Sequence, residues 1–165
     1  MKTYSDPKKL EEDFQKAIQK PLMIAEILGG LEILYGLPKA QANGKNVAEY
    51  GRLVHDGSFT QNIPSRPYLR TVKDVYGSKI NSDIKKALEE IKEEFTKNDI
   101  NKAKIKQIIE KFVALPLQNY TKSNVVNGDW TPNSATTIKK KGSSKPLIDT
   151  GELVNRIIAL VDEVW

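Results

Sequence analysis

His55 stands beside Asp56, and an imidazole next to a carboxylate is two thirds of a nucleophilic triad. The chain has one histidine and no cysteine in 165 residues. A multi-histidine metal centre, a thiolate site and a thiol nucleophile therefore cannot be built within one copy. A triad needs three positioned groups, so a structural or surface role is the favoured reading of His55, and a hydrolase using Asp56 with His55 is the minor alternative. Asp83, Glu89, Glu90, Glu93 and Glu94 supply carboxylates, but they lie among lysines on a strongly periodic segment, which is the pattern of a solvated helix face. A glycosidase pair needs two carboxylates opposed across a cleft, and nothing in the spacing suggests one. No nucleophile elbow, phosphate loop or metal motif is present, so the chain reads as a non-enzyme with no cofactor and no metal.

The sharpest basic cluster is Lys139, Lys140, Lys141 and Lys145 in a Gly/Ser-containing stretch. Four ammonium groups there can meet water, an acidic protein surface or phosphates. Trp130 with Pro132 either caps the hydrophobic core or anchors an interface, and core packing is favoured because buried aromatic rings usually serve packing. The net charge of +5 comes from 26 basic against 21 acidic residues. Most of these charges read as solvated helix faces, so nucleic-acid binding is permitted without being indicated.

The elements that would position these groups follow from pattern. Hydrophobic residues make up 39% and charged residues 28%, a balance that folds, and the length suits a single domain spanning 1–165. The apolar run Leu22 to Ala25 is interrupted by Glu26 and no stretch approaches the ~20 residues of a membrane span, and the acids near the N-terminus do not suit a secretory signal. Asp6-Pro7 predicts the start of a helix that ends or kinks near Pro21, or continues to Gly29-Gly30. Leu31 to Tyr35 predicts a strand, 39–46 a loop around Asn43-Gly44, and Val47 to His55 a short helix. Ile63-Pro-Ser-Arg-Pro67 predicts a rigid elbow, since each proline fixes its own backbone and restricts its predecessor.

Apolar residues from Val72 to Phe95, then from Ile105 to Val113, recur at three- and four-residue steps and predict an antiparallel hairpin of long helices. Asn98-Asp99 offers the second helix a cap, and Pro116 should kink or restart it on its way to Gly128. Residues 131–146 read as a flexible loop. Asp149 sits three residues before Glu152, a capping spacing that predicts a turn of helix. Ile157 to Trp165 reads as a strand paired with Leu31–Tyr35. The expected fold class is α+β: long central helices packed on a small antiparallel sheet, with extended loops.

Five segments carry a resemblance. Trp130-Thr-Pro-Asn-Ser-Ala-Thr-Thr-Ile-Lys139 and Gly142-Ser-Ser-Lys-Pro-Leu-Ile-Asp-Thr-Gly-Glu-Leu153 resemble the C-terminal signature of tailed-bacteriophage virion-morphogenesis proteins of the neck (head–tail joining, tail-completion) type. In that family a proline-containing stretch, a threonine and a lysine lead into a Pro-Leu-hydrophobic-Asp-Thr-Gly-x-Leu turn. Tyr50-Gly51 through Val54-His-Asp-Gly57 is similar to the family's glutamate-aromatic-glycine element, although His55-Asp56 departs from its acidic-then-aromatic pair. Ile63-Pro-Ser-Arg-Pro-Tyr-Leu-Arg70 is similar to its Ile-Pro-Ala-Arg-Pro-Phe element, and Glu32 to Pro38 to its first strand.

The resemblance implies a structural subunit that joins copies of itself, expected six, in a ring completing or attaching the tail. Other neck or tail proteins are the further partners, with weak contact to passing DNA and none with membrane. It implies residence in the virion, and in host cytoplasm during assembly. Ile63, Pro64, Arg66, Pro67, Tyr68, Trp130, Pro132, Lys139, Lys140, Lys141 and Lys145 become interface candidates, with Asp149, Thr150 and Gly151 as a structural turn. A small basic nucleic-acid-binding module, using Lys139 to Lys141 with Arg66 or Arg70, is the alternative.

Overall fold

The computed structural model describes residues 6–38, 41–42, 45–97 and 101–163. Helix α1 (Pro7–Gly29) starts where the sequence predicts: the Asp6 carboxylate accepts the Lys8 amide at 2.9 Å, and Pro7 fills the first turn, where no amide hydrogen is needed. The helix runs on through Pro21 and stops at Gly30, whose amide bonds the Glu26 carbonyl at 3.1 Å. Strand β1 (Leu31–Gly36) then pairs antiparallel with β4 (Ile158–Glu163), Ile33 opposite Val161 and Leu34 opposite Leu160. This is the pairing expected from the two β-rich segments; Val164 and Trp165 lie outside the described residues.

The expected loop at 39–46 contains a small ladder instead, β2 (Gln41–Ala42) with β3 (Lys45–Asn46), flanking Asn43-Gly44, which lies outside the described residues. Asn46 caps α2 (Val47–Asp56) by accepting the Ala48 and Glu49 amides. The long hairpin consists of α3 (Val72–Lys97) against α4 (Lys102–Ile109), a π-helical turn (Glu110–Ala114) and α5 (Leu115–Asn127). Its cross-links step in opposite directions: Asn124 to Thr71, Tyr120 to Asp83, Lys104 to Glu94. The predicted cap at Asn98-Asp99 lies outside the described residues; Asn101 caps α4 by accepting the Lys104 amide at 3.0 Å. The α-helix restarts at Leu115 with Pro116 in its first turn, as the sequence predicts, and the π turn joins it to α4. The ring and missing amide of Pro116 conflict with a regular turn, and the wider π turn just before it is a geometry that relieves such a conflict.

The expectation of an irregular flexible loop at 131–146 is corrected. Residues Ala135–Lys141 form α6, capped by the Ser134 hydroxyl on the Thr137 amide and closed by Gly142 in the left-handed region. The Asp149 cap is also corrected: α7 (Glu152–Asn155) begins at Gly151 with no side-chain cap. Two apolar clusters result. One gathers Val54, Tyr68, Val125, Leu147, Leu153 and Ile157; the other gathers Ala87, Ile91, Ile105, Ile108 and Val113 beneath the ends of α1 and β1. Among the described residues, no helix is long and apolar enough to cross a membrane.

Candidate functional site

The elbow and the Trp130 segment, distant in sequence, meet at Arg66. Its Nε donates to the Thr131 carbonyl at 2.9 Å, and Nη2 to the Pro132 carbonyl and Asn133 Oδ1 at 3.3 Å each. Arg66 is 5% exposed, and burial pushes its pKa below the usual arginine value, opposed by Tyr50. Asn133 extends the clasp by donating to the Ser144 and Lys145 carbonyls. A planar fork satisfied by backbone carbonyls fixes where a chain runs; it is not placed to polarise a substrate.

Tyr68 lies behind this clasp, fully buried, with its hydroxyl on the Gly51 carbonyl at 3.2 Å and its own carbonyl accepting Asn124 Nδ2 at 2.7 Å. Burial raises its phenol pKa, with smaller contributions from Asp56 and Tyr50. Gly51 leaves the space these side chains fill: a Cβ there would overlap Leu37 and come within 2.9 Å of the Tyr68 hydroxyl, so both would have to shift. Trp130 folds its indole nitrogen onto the Asn124 and Val125 carbonyls at 3.2 and 3.1 Å, closing the end of α5 against the first cluster. This is the core-packing role that the sequence favours.

Leu147, buried at φ 60, and Gly151, at φ 81, turn the chain sharply on either side of Asp149 and Thr150, which are exposed. A positive φ is ordinary for glycine and unusual for leucine, so the structural-turn reading of this segment is supported and extended to Leu147. The Asp149 charge reaches Tyr50, whose phenol pKa is raised by burial first and by Asp149 second. The resembling segments after the first strand thus meet around one core cluster.

Sequence candidates separate by burial. Arg66 and Tyr68 are buried and bind the chain to itself, so in this structure they hold the face together and do not present it. Ile63, Pro64 and Pro132 line an open concavity of about 430 Å³ with Ser58, Asn62 and Asn133. Pro67 starts the next turn by accepting the Thr71 amide and hydroxyl. Lys139 and Lys140 are exposed on the last turn of α6, where cations suit the helix end, and Lys141 Nζ bonds the carbonyl of the exposed Lys145.

Sequence reading missed Phe59. It is fully exposed on a closed turn beside the concavity, where Ser58 and Ile63 exchange backbone bonds of 2.8 and 2.9 Å. The turn residues around it, Asn62 at φ 52 among them, were the available signal.

His55 Nδ1 lies 2.9 Å from Asp56 Oδ1, and this bond lowers the Asp56 pKa, with the charges of His55, Arg52 and Arg70 assisting. His55 Nε2 is buried without a hydrogen-bond partner, and the ring stands edge-on to Tyr68. No hydroxyl is therefore hydrogen-bonded to the nitrogen a triad would use. Among the described residues no group of three or more His, Cys, Asp or Glu is placed to hold a metal ion. Comparison with family models, curated proteins and solved structures finds no match to this chain.

Proposed function

We propose that this protein is a structural virion-assembly subunit, a ring-forming neck or tail-completion protein that joins copies of itself between phage head and tail. The observation that supports this reading is the Arg66 clasp. Two of the segments that carry the resemblance, 63–70 and 130–139, are tied to each other by a buried guanidinium bonded to Thr131, Pro132 and Asn133, so they act as one rigid unit. Beside that unit lie an exposed aromatic side chain, a concavity and a capped basic helix. A subunit that must repeat one heterologous contact until it closes needs such a fixed relief and needs no reaction centre.

The test is assembly without the protein. Phage particles lacking it should accumulate as filled heads with separate tails, and joined, infectious virions would refute the proposal. The basic α6 supports a second reading, a nucleic-acid-binding module. Among the described residues no ion pair engages Lys139, Lys140, Lys141 or Lys145. Duplex affinity that falls steeply with salt, and falls less steeply after Lys139→Ala with Lys140→Ala, would favour it.

A further inference from the structure

Helix α1 has no buried residue. Its packing on the body begins at Lys20, whose ammonium lies 5.8 Å from the centre of the Phe95 ring, and continues through Ile24, Ile27 and Leu28. The earlier turns carry an apolar stripe at Leu10, Phe14, Ala17 and half-buried Ile18, with Leu10 49% and Phe14 57% exposed and none of the four in either core cluster of the described residues. Side chains three or four residues apart share a helix face. Glu11 is three residues from Phe14, and Asp13 is three from Leu10 and four from Ala17, so carboxylates edge the stripe. Lys9 and Lys16 have only polar residues at those spacings and stand behind it.

The body offers a matching surface. Between the second half of α1 and α3 lies a groove of about 280 Å³, walled by Pro21, Ile24 and Leu28 on one side and Leu88, Ile91 and Phe95 on the other. Exposed Ile84 extends its apolar wall. Lys85 and Lys92, three before and four after Leu88, edge this wall with positive charge, and Glu89 lies behind them. A chain cannot fill its own groove with its own stripe, because α1 is one continuous helix whose later turns form a wall of that groove.

We propose that the first turns of α1 are an arm that docks in the α1–α3 groove of a second copy of this chain, Phe14 against Leu88 and Glu11 and Asp13 against Lys85 and Lys92. Each copy has one arm and one groove, so the contact is heterologous and adds copies head to tail until the rotation closes. The inference rests on the ring reading for its biological setting and supplies that reading with a repeating contact.

Because the chain lacks cysteine, Phe14→Cys with Leu88→Cys in one chain gives a direct test. Oxidation should yield a ladder of covalent multimers on a denaturing gel, whereas either substitution alone yields at most dimers. Reversing the arm, Glu11→Lys with Asp13→Lys, should raise the concentration for half-association by about tenfold or more, and adding Lys85→Glu with Lys92→Glu should restore it. An unchanged melting curve for each variant separates these effects from misfolding. Absence of the ladder with a monomer at every soluble concentration overturns the proposal, as does association indifferent to the reversals, or an arm that binds lipid vesicles through Phe14 instead. Arm-linked dimers or open filaments keep the arm and sink the ring; a ring unmoved by Phe14→Asp keeps the ring and sinks the arm.

Discussion

Around Tyr68 the protein buries polar groups and satisfies most of them: Arg66, Thr121 and Asn124 lie below the surface, each bonded to a carbonyl of another turn or segment, while His55 Nε2 is left without a partner. Around Ile91 and Ile105 the core is aliphatic, and α1 reaches it with only partly covered side chains. Directional bonds specify one arrangement of irregular chain, whereas apolar contacts tolerate sliding and exchange. The first end suits a surface whose shape must be fixed. The second, which leaves Phe14, Ile84 and Leu88 uncovered, suits an element that finds its partner elsewhere.

The sharpest way to break the contrast is Tyr68. Tyr68→Ala removes a fully buried ring touching His55 and unties the Gly51 carbonyl, and should cost about 4 kcal/mol in denaturant unfolding. Tyr68→Phe keeps the ring and should cost only about 1 kcal/mol. Near-equal losses would mean that the hydroxyl, more than the packing, holds this end.

Arg66 comes next. Arg66→Met should cost about 2 to 3 kcal/mol, since charged hydrogen bonds to two carbonyls are lost and their acceptors remain partly buried. Arg66→Lys should recover little, because an ammonium cannot reproduce the fork. Full recovery by lysine would show that charge, and not geometry, secures the Trp130 segment. The exposed Arg70, paired loosely with Asp56 at 3.9 Å, is the control, and Arg70→Ala should change stability by less than about 0.5 kcal/mol.

The same contrast explains what could be read from residue order. Periodicity located α1 and the hairpin, because regular helices with one apolar face write their period into the chain, and strand-forming composition located the β1–β4 pair. Stripe and burial then parted: Val75, Ile84 and Leu88 belong to the predicted stripe of α3 yet stay exposed, because a stripe shows which face is apolar and not what covers it. At the other end, the elbow and the left-handed glycine were legible, while α6 was hidden by its threonines and lysines. Those residues lack an apolar period, and the helix rests on caps at Ser134 and Gly142. The Arg66 clasp joins residues more than sixty positions apart, a separation local pattern does not encode.

A smaller effect should appear at high pH within the hairpin. The Tyr120 hydroxyl donates to Asp83 at 2.6 Å, and that bond, followed by desolvation and the carboxylate charge, pushes the phenol pKa from 10.0 up to about 12. A raised pKa means that the folded state favours the protonated phenol. The contribution is therefore whole below about pH 10 and is lost as the pH climbs toward about 12. Urea midpoints for the native chain should fall across that window more steeply than for Tyr120→Phe, and parallel curves would show that the bond contributes nothing to folding.

The smallest change in stability is expected from the arm. Phe14→Ser in a monomeric sample should move the unfolding free energy by less than about 0.5 kcal/mol, since the ring is 57% exposed and belongs to neither core cluster. A phenylalanine on a helix that gains so little from it is informative only beside a second measurement, the mass in solution. A clear loss of stability in the monomer would mean that the ring is already covered within its own chain, and the division between a fixed face and a partner-seeking arm would fail at its weaker half.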